Sequence, residues 1–472
     1  MPSTLAVFDR VLRHDVPTPP AWKPHRREAL GLLRLLAARF GGAQRRRIFL
    51  GFVPGRIEVL GKHTDYAGGH SLVCAIDRGF LFAAAGNDAG TVRMAGDRDE
   101  FEPIEFPARA SIVPRTGDWT NYPMTMIQRL AANLGARGRL GGVDIAFSSS
   151  LPVGSGMSGS SALMMMTFLA AVEAGGLTGS RRFQAAIRDG VDLAMFLACC
   201  ENGQTFRELP GGRGVGTFGG SEDHTAILNG RAGRLLLFQY APTVHKADLF
   251  WPADHALVVA FSGVRAEKTK EALERYNLVS LRAREAAAAC NHAWGTNYPN
   301  LRGVADHAEV RHGRLALRAI DRALSGTPRP LGLPARVRQF VLEDRRYLPE
   351  AERALCSRDM DGFGRMLDLS HAASRKYLWN IVPQVDFLQQ EAVRLGALGA
   401  SGFGAGFGGS VVAVVPSAGA GAFLARWADA YRAGHPAEAA GADFFAAAPS
   451  DGIRFWDGEW SGRWVDRVFG GG

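Results

Sequence analysis

A mixed α/β protein of two domains is predicted by three observations. The chain has 472 residues, more than one hydrophobic core ordinarily serves. Strand-like segments alternate with long apolar helical segments over the first half, and a mostly helical stretch follows. Three glycine-rich segments punctuate the pattern: 54–69, 151–162 and 404–410.

In chain order, apolar spacing predicts helices near 5–13 and over 26–40, separated by a Pro-rich stretch at 17–24. Ile48 to Leu60 is predicted as a strand, and Ser71 to Ala85 as strands around a turn at Asp77-Arg78-Gly79. Trp119 to Leu134 is helical. Val143 to Ser149 alternates like a strand, with Gly142 as its punctuator. Residues 158–175 form a long apolar helix, and Val191 to Glu201 another. Gly211 to Gly220 is a glycine-dense loop, followed by strands at Arg234–Tyr240 and Ala256–Ser262. Residues 265–395 are mostly helical, and Ser410–Val415 and Ala420–Ala433 give a last strand and helix.

Composition narrows the class. A hydrophobic fraction of 47% with 21% charged residues is that of a water-soluble globular chain. No apolar run reaches the ~18 residues of a membrane span, and Met1–Arg10 lacks the pattern of a secretory signal. Cys74, Cys199, Cys200, Cys290 and Cys356 show neither metal nor disulfide spacing, so a cytoplasmic location is expected. The net charge of +9 raises nucleic acid as a partner. Against it, the arginines are dispersed, as at Arg26-Arg27, Arg181-Arg182 and Arg345-Arg346. The one dense run, Arg45-Arg46-Arg47, precedes a predicted strand. No basic and aromatic residues interleave as single-strand binding needs. A basic balance also suits anionic substrates.

The second glycine segment, Leu151-Pro152-Val153-Gly154-Ser155-Gly156-Met157-Ser158-Gly159-Ser160-Ser161-Ala162, runs into a helix. Backbone amides at such a junction attract phosphate, and the serine hydroxyls offer hard oxygen to phosphate or magnesium. It is neither a P-loop ending in Gly-Lys-Ser/Thr nor a dinucleotide fingerprint. A helix cap alone would need one serine, not three. In Gly219-Gly220-Ser221-Glu222-Asp223-His224, Asp223 follows a glycine run and precedes an apolar, strand-like stretch. It could accept a proton from a sugar hydroxyl, or be an ordinary turn aspartate. His63 and His224 lack metal-ligand spacing.

Taken together, the three segments resemble the GHMP small-molecule kinases, and within them the galactokinase branch. Gly55-Arg56, Gly61-Lys62-His63-Thr64-Asp65-Tyr66 and Gly68-Gly69 are similar to the sugar signature. Leu151 to Ala162 is similar to the phosphate loop, and Gly404-Ala405-Gly406-Phe407-Gly408-Gly409 to the third motif. The resemblance spans about 48–415. It implies a two-domain kinase with its site in the interdomain cleft, using ATP and Mg²⁺ on the anomeric hydroxyl of a galactose-like sugar. The implied partners are sugar and ATP, without nucleic acid or membrane, in a monomer or weak homo-oligomer. The implied layout is an N-terminal extension at 1–47, an N-terminal domain at 48–240, a C-terminal domain at 241–450 and a tail at 451–472.

The resemblance also implies roles. Asp223 and Arg56 are the catalytic pair. Lys62, His63, Asp65, Gly220, Glu222 and Tyr276 face the sugar. Trp119 marks the adenine pocket, and Gly154, Ser155, Gly156, Met157, Ser158, Gly159, Ser160 and Ser161 hold the phosphates. Ser160 and Glu201 attend the magnesium ion.

Four departures from the family pattern stand out. Lys62 replaces a glutamate that contacts the sugar. Glu222 is ordinarily uncharged. Gly159 interrupts the serine run. Leu273 holds the spacing of a sugar-contacting tyrosine, with Tyr276 three residues on. Two explanations for Lys62 stand open. It pairs with Glu222 beside a neutral sugar, the favoured reading, or it faces a C6 carboxylate, as in galacturonate. An ATP and sugar sensor without turnover is the non-enzymatic alternative, which the presence of both Asp223 and Arg56 disfavours.

Overall fold

A computed structural model describes residues 25–41, 48–115, 117–266, 270–326 and 332–456. The predicted helix near 5–13, the Pro-rich stretch at 17–24 and Arg45-Arg46-Arg47 lie outside these residues.

Thirteen strands are present among the described residues: β1 (Ile48–Leu60), β2 (His70–Asn87), β3 (Thr91–Gly96), β4 (Ile104–Pro107), β5 (Gly142–Ser149), β6 (Arg234–Gln239), β7 (Val244–Phe250), β8 (His255–Phe261), β9 (Gly399–Phe403), β10 (Ser410–Pro416), β11 (Asp443–Ala447), β12 (Pro449–Ser450) and β13 (Arg454–Trp456). They form two sheets. The larger runs β13-β1-β2-β5-β3-β4, with β6, β7 and β12 joined through β2 and β6. The smaller runs β11-β8-β10-β9. Pairing is antiparallel except between β3 and β5.

The long strand β1 is buried throughout because both faces of its sheet are covered. Ile48, Leu50 and Phe52 pack under the helix Arg26–Arg39, with Leu33 and Leu36. Phe49, Val53, Ile57 and Val59 point the other way, into the main core with Leu163, Phe168 and Phe196. Strand periodicity of two thus divides β1 between two cores. The smaller sheet does the same. Leu257, Val259, Val412 and Val414 join the main core, and Val258, Ala260, Val411 and Ala413 face the helices Pro383–Arg394 and Ala420–Gly434. A third cluster joins the helices Lys270–Trp294, Leu301–His312, Leu317–Ala323 and Leu333–Leu342, and Ala67 plugs into it from the loop after β1.

Two expectations change. Asp77-Arg78-Gly79 is no turn, because β2 runs unbroken from His70 to Asn87. Opposite it, Pro54 pairs with Gly79 but Arg56 with Ala75, so the residues between form a bulge. The stretch after Asp223 is the helix Glu222–Asn229, not a strand, since a short apolar run does not reveal its own period. Strand β7 pairs with β6 and β12 with β2, while β13 pairs with β1. The larger sheet therefore runs past residue 240 and reclaims residues 449–456.

Candidate active site

The three glycine segments meet at one cleft of about 400 Å³. At its centre, Arg56 on β1 reaches Asp223 in the first turn of the helix Glu222–Asn229. Arg56 Nε donates to Asp223 Oδ1 at 2.9 Å, and Nη2 lies 2.6 Å from the same oxygen. Nη1 donates to the carbonyl of Gly156 at 2.5 Å. The arginine side chain is 5% exposed and the aspartate 31%, so the carboxylate looks into the cleft from a buried anchor. Burial by itself would lower the Arg56 pKa, but Asp223, Glu222 and Glu58 more than offset it and raise it.

The loop between β1 and β2 is set by distant helices. Glu343 Oε1 accepts from the amides of Gly61 and Lys62 at 2.8 and 3.3 Å. Gln339 Nε2 donates to the Lys62 carbonyl at 2.9 Å, and Arg336 Nη2 to that of His63 at 2.5 Å. Asp344 Oδ1 takes the His70 amide at 2.7 Å. Glu343 and Asp344 open a π-helical turn, Glu343–Tyr347, a feature frequent at functional sites.

Held in this way, His63 and Asp65 line the cleft. The Tyr66 hydroxyl lies 2.8 Å from His63 Nδ1, and the Ala405 carbonyl 3.3 Å from His63 Nε2. Burial, with Arg336 adding to it, depresses the His63 pKa to about 3, so the ring stays neutral. Burial raises the Asp65 pKa, opposed by hydrogen bonds from the backbone of Tyr66, Glu222 and Gly220. A Cβ on Gly220 would stand 2.3 Å from Asp65 Oδ2, which accounts for glycine there. Tyr276 and Leu273 both line the cleft, and the Tyr276 ring centroid lies 5.8 Å from that of His63.

Lys62 does not line this cleft, and the expected Lys62–Glu222 pair is not formed. Its side chain is 2% exposed and turns the other way, where Nζ donates to Ser370 Oγ at 3.0 Å. Ser370 in turn donates to Glu343 Oε1 at 2.8 Å. The position is pinned on both sides, because its own amide and carbonyl are bound to Glu343 and Gln339. Glu222 instead lies 3.8 Å from Arg56 Nε and is hydrogen-bonded to Glu58. The cation that would have met a sugar carboxylate is thus absent from the cleft wall.

In the phosphate segment, Gly154, Ser155, Gly156, Ser158, Gly159 and Ser160 line the cleft. Ser158 takes a left-handed φ of 59° at the head of the helix Gly159–Ala174, and its buried Oγ has no protein partner. The third glycine segment supports this loop from behind. A Cβ on Gly404 would stand 2.5 Å from the Gly156 carbonyl, and Ser410 Oγ donates to the Ser155 carbonyl at 2.7 Å.

Met157 and Ser161 are not on the cleft wall. Met157 is fully buried in the main core. Ser161 lies behind the wall, where its hydroxyl donates to Glu201 Oε2 at 2.9 Å and is 3.4 Å from Asp223 Oδ2. Glu201 itself lines the cleft, with His224 Nε2 at 3.2 Å. Trp119 closes the apolar end, edge-on to Phe101 at 5.5 Å, beside Phe80 and Leu163.

Sequence reasoning missed Glu58, Arg336, Gln339, Glu343, Asp344 and Ser370. Glu58 carried a signal, being two residues from Arg56 on a strand and hence on its face. The others lie more than 270 residues from the loop they hold, with no local pattern to mark them.

Comparison with known proteins agrees with this geometry. The family model of the galactokinase galactose-binding signature matches residues 36–86. Those of the GHMP kinase N-terminal and C-terminal domains match 121–196 and 351–433. The galactokinase of Roseiflexus sp. (strain RS-1) is 31% identical over 410 residues, covering 85% of this chain and 91% of that protein. The galactokinase of Mycobacterium tuberculosis (strain ATCC 25618 / H37Rv) is 29% identical over 371 residues, covering 77% and 88%. In fold, the structure of Lactococcus lactis galactokinase complexed with galactose superposes with a TM-score of 0.73 at 22% identity, over 90% of this chain and 99% of that one. Among the described residues no helix is long and apolar enough to cross a membrane. With the similarity running through nearly the whole length of its relatives, the chain belongs to the galactokinase family of GHMP kinases.

Proposed function

We propose that this kinase transfers the γ-phosphoryl group of ATP to the anomeric hydroxyl of galactose. The observation that carries this reading is the Arg56–Asp223 pair, at the junction of the sugar loop and the phosphate loop. Asp223 accepts the hydroxyl proton as the oxygen attacks phosphorus and the bond to ADP breaks. Arg56 fixes the carboxylate and, through Gly156, ties it to the phosphate loop. His63, as a neutral ring, and Asp65 are placed to hydrogen-bond sugar hydroxyls. The Tyr276 ring lies beside His63 on the same wall. The withdrawal of Lys62 from the cleft favours a neutral sugar over a sugar acid.

The residues present fit a nucleotide and its metal. The unpartnered Ser158 hydroxyl and the amides at the helix start suit phosphate. Ser160 and Glu201 offer hard oxygen ligands on the adjoining wall, as Mg²⁺ requires. The ion would neutralise charge on the phosphates, and Trp119 with Phe101 would hold the base.

A coupled assay of ADP release with galactose and ATP, with phosphorus NMR of the product, tests the reading. Galactose 1-phosphate is expected. ATP consumption without that product would contradict it.

A further inference from the structure

Two buried carboxyls beside Arg56 have no role in the chemistry so far described. Glu58 and Glu222 are each 4% exposed, are hydrogen-bonded to one another and line the cleft. Two carboxylates cannot form that bond without a proton between them. Glu222 Oε1 is 3.8 Å from Arg56 Nε, the nitrogen that donates to Asp223. Glu58 Oε1 has no hydrogen-bond partner. One guanidinium therefore stands between the catalytic carboxylate and a second carboxyl pair that competes for it.

From these contacts, and on the reading of the activity given above, we infer that Glu58 and Glu222 are positioning residues. They share one proton, and that proton leaves Arg56 directed at Asp223. Loss of the proton makes the pair a dianion. Arg56 is then drawn toward Glu222, and the added negative charge opposes the approach of the γ-phosphate.

The charged and titratable surroundings support retention of the proton. On β1 the pair faces Arg56, and from the sugar loop Lys62, Asp65 and Tyr66. From the helix Glu222–Asn229 it faces Asp223, beyond the end of β6 Tyr240, and from the π-helical turn Glu343. Two cations stand against three further carboxyls. Burial raises both Glu58 and Glu222; Lys62 and Arg56 oppose the rise at Glu58, and Glu58 and Asp65 add to it at Glu222.

The test is the pH profile of kcat for galactose with the full chain, at saturating Mg-ATP. The readout is the ratio of kcat at about pH 9 to kcat at about pH 7, so a general change of rate does not count. For the wild type the ratio is expected near one-tenth. For Glu58→Gln and Glu222→Gln, which cannot form a dianionic pair, it is expected within about twofold of one. The same decline in both variants would overturn the inference. A second readout is independent of turnover, and serves where one variant fails to fold. Infrared difference spectra should show a protonated carboxyl carbonyl at neutral pH in the wild type that the folded variant lacks. Its persistence in that variant would also overturn the inference. Absence of galactose turnover in the wild type at every pH would sink the activity reading, and the infrared band would still decide the shared proton.

Discussion

Arg56 and Asp223, 167 residues apart, are joined by a 2.9 Å hydrogen bond from Nε, and a second arm of the same guanidinium holds the Gly156 carbonyl at 2.5 Å. One side chain thus fixes the candidate base relative to the phosphate loop. Asp223→Asn should keep the fold and lower kcat by about 10²–10⁴-fold. Arg56→Lys should fall between wild type and Asp223→Asn, since an ammonium cannot make both contacts in one plane. Steady-state kinetics on variants with wild-type melting temperatures decides this, and wild-type turnover in Asp223→Asn would refute the assignment.

Gly220→Ala should act through Asp65. The added Cβ falls 2.3 Å from Asp65 Oδ2 and 2.6 Å from Cγ, so the aspartate must move. The KM for galactose should rise about tenfold or more, the scale of one lost charge-assisted hydrogen bond, with little change in the KM for ATP. An equal rise in both would place the damage elsewhere.

Lys62→Glu, which restores the family's residue, should harm this protein. Its ammonium lies in a buried network with Ser370 and Glu343 and opposes the charge of Glu58. Reversing a buried charge of this kind should cost about 3–5 kcal/mol or more, read by chemical denaturation. Full stability together with improved galactose turnover would show that Lys62 belongs to sugar recognition after all.

The buried carboxyl of Glu58 also has a stability signature. Burial raises Glu58 from 4.5 to about 7 in the folded protein. A raised folded pKa means the native state holds the proton more tightly, so its contribution is complete below about pH 4.5 and is lost as pH rises through about 7. Glu58→Gln should therefore be more stable than wild type at about pH 8, by about 1–3 kcal/mol, and gain nothing at about pH 4.5. A pH-independent difference in denaturation free energy would contradict the linkage.

Much of this could be read along the chain, and the reasons for the rest are physical. β1, the helix Gly159–Ala174 and the three glycine segments have strong local signatures, and the structure brings all three segments to one cleft. Glycine there reflects close approach, as at Gly404 against Gly156. For Lys62 the sequence shows a charge but not the direction of its side chain. That direction is set by Glu343, Gln339 and Ser370, which come near only through the fold of the helical region. Met157 and Ser161 share a segment with the cleft residues, but the turn into the helix carries them inward. The C-terminal strands β12 and β13 are too short to announce the sheet they rejoin.

The most direct test of the central claim is a sugar panel assayed for ATP-dependent phosphorylation, with galactose, galacturonate, talose, fucose and arabinose compared by kcat/KM. Galactose is expected to lead, with phosphate on the anomeric oxygen, and galacturonate to fall at least about tenfold below it, because Lys62 is turned to Ser370, Arg56 is committed to Asp223, and Glu58, Asp65 and Glu222 line the cleft. A preference for galacturonate, or no phosphorylation of any of these sugars by the folded protein, would contradict the account.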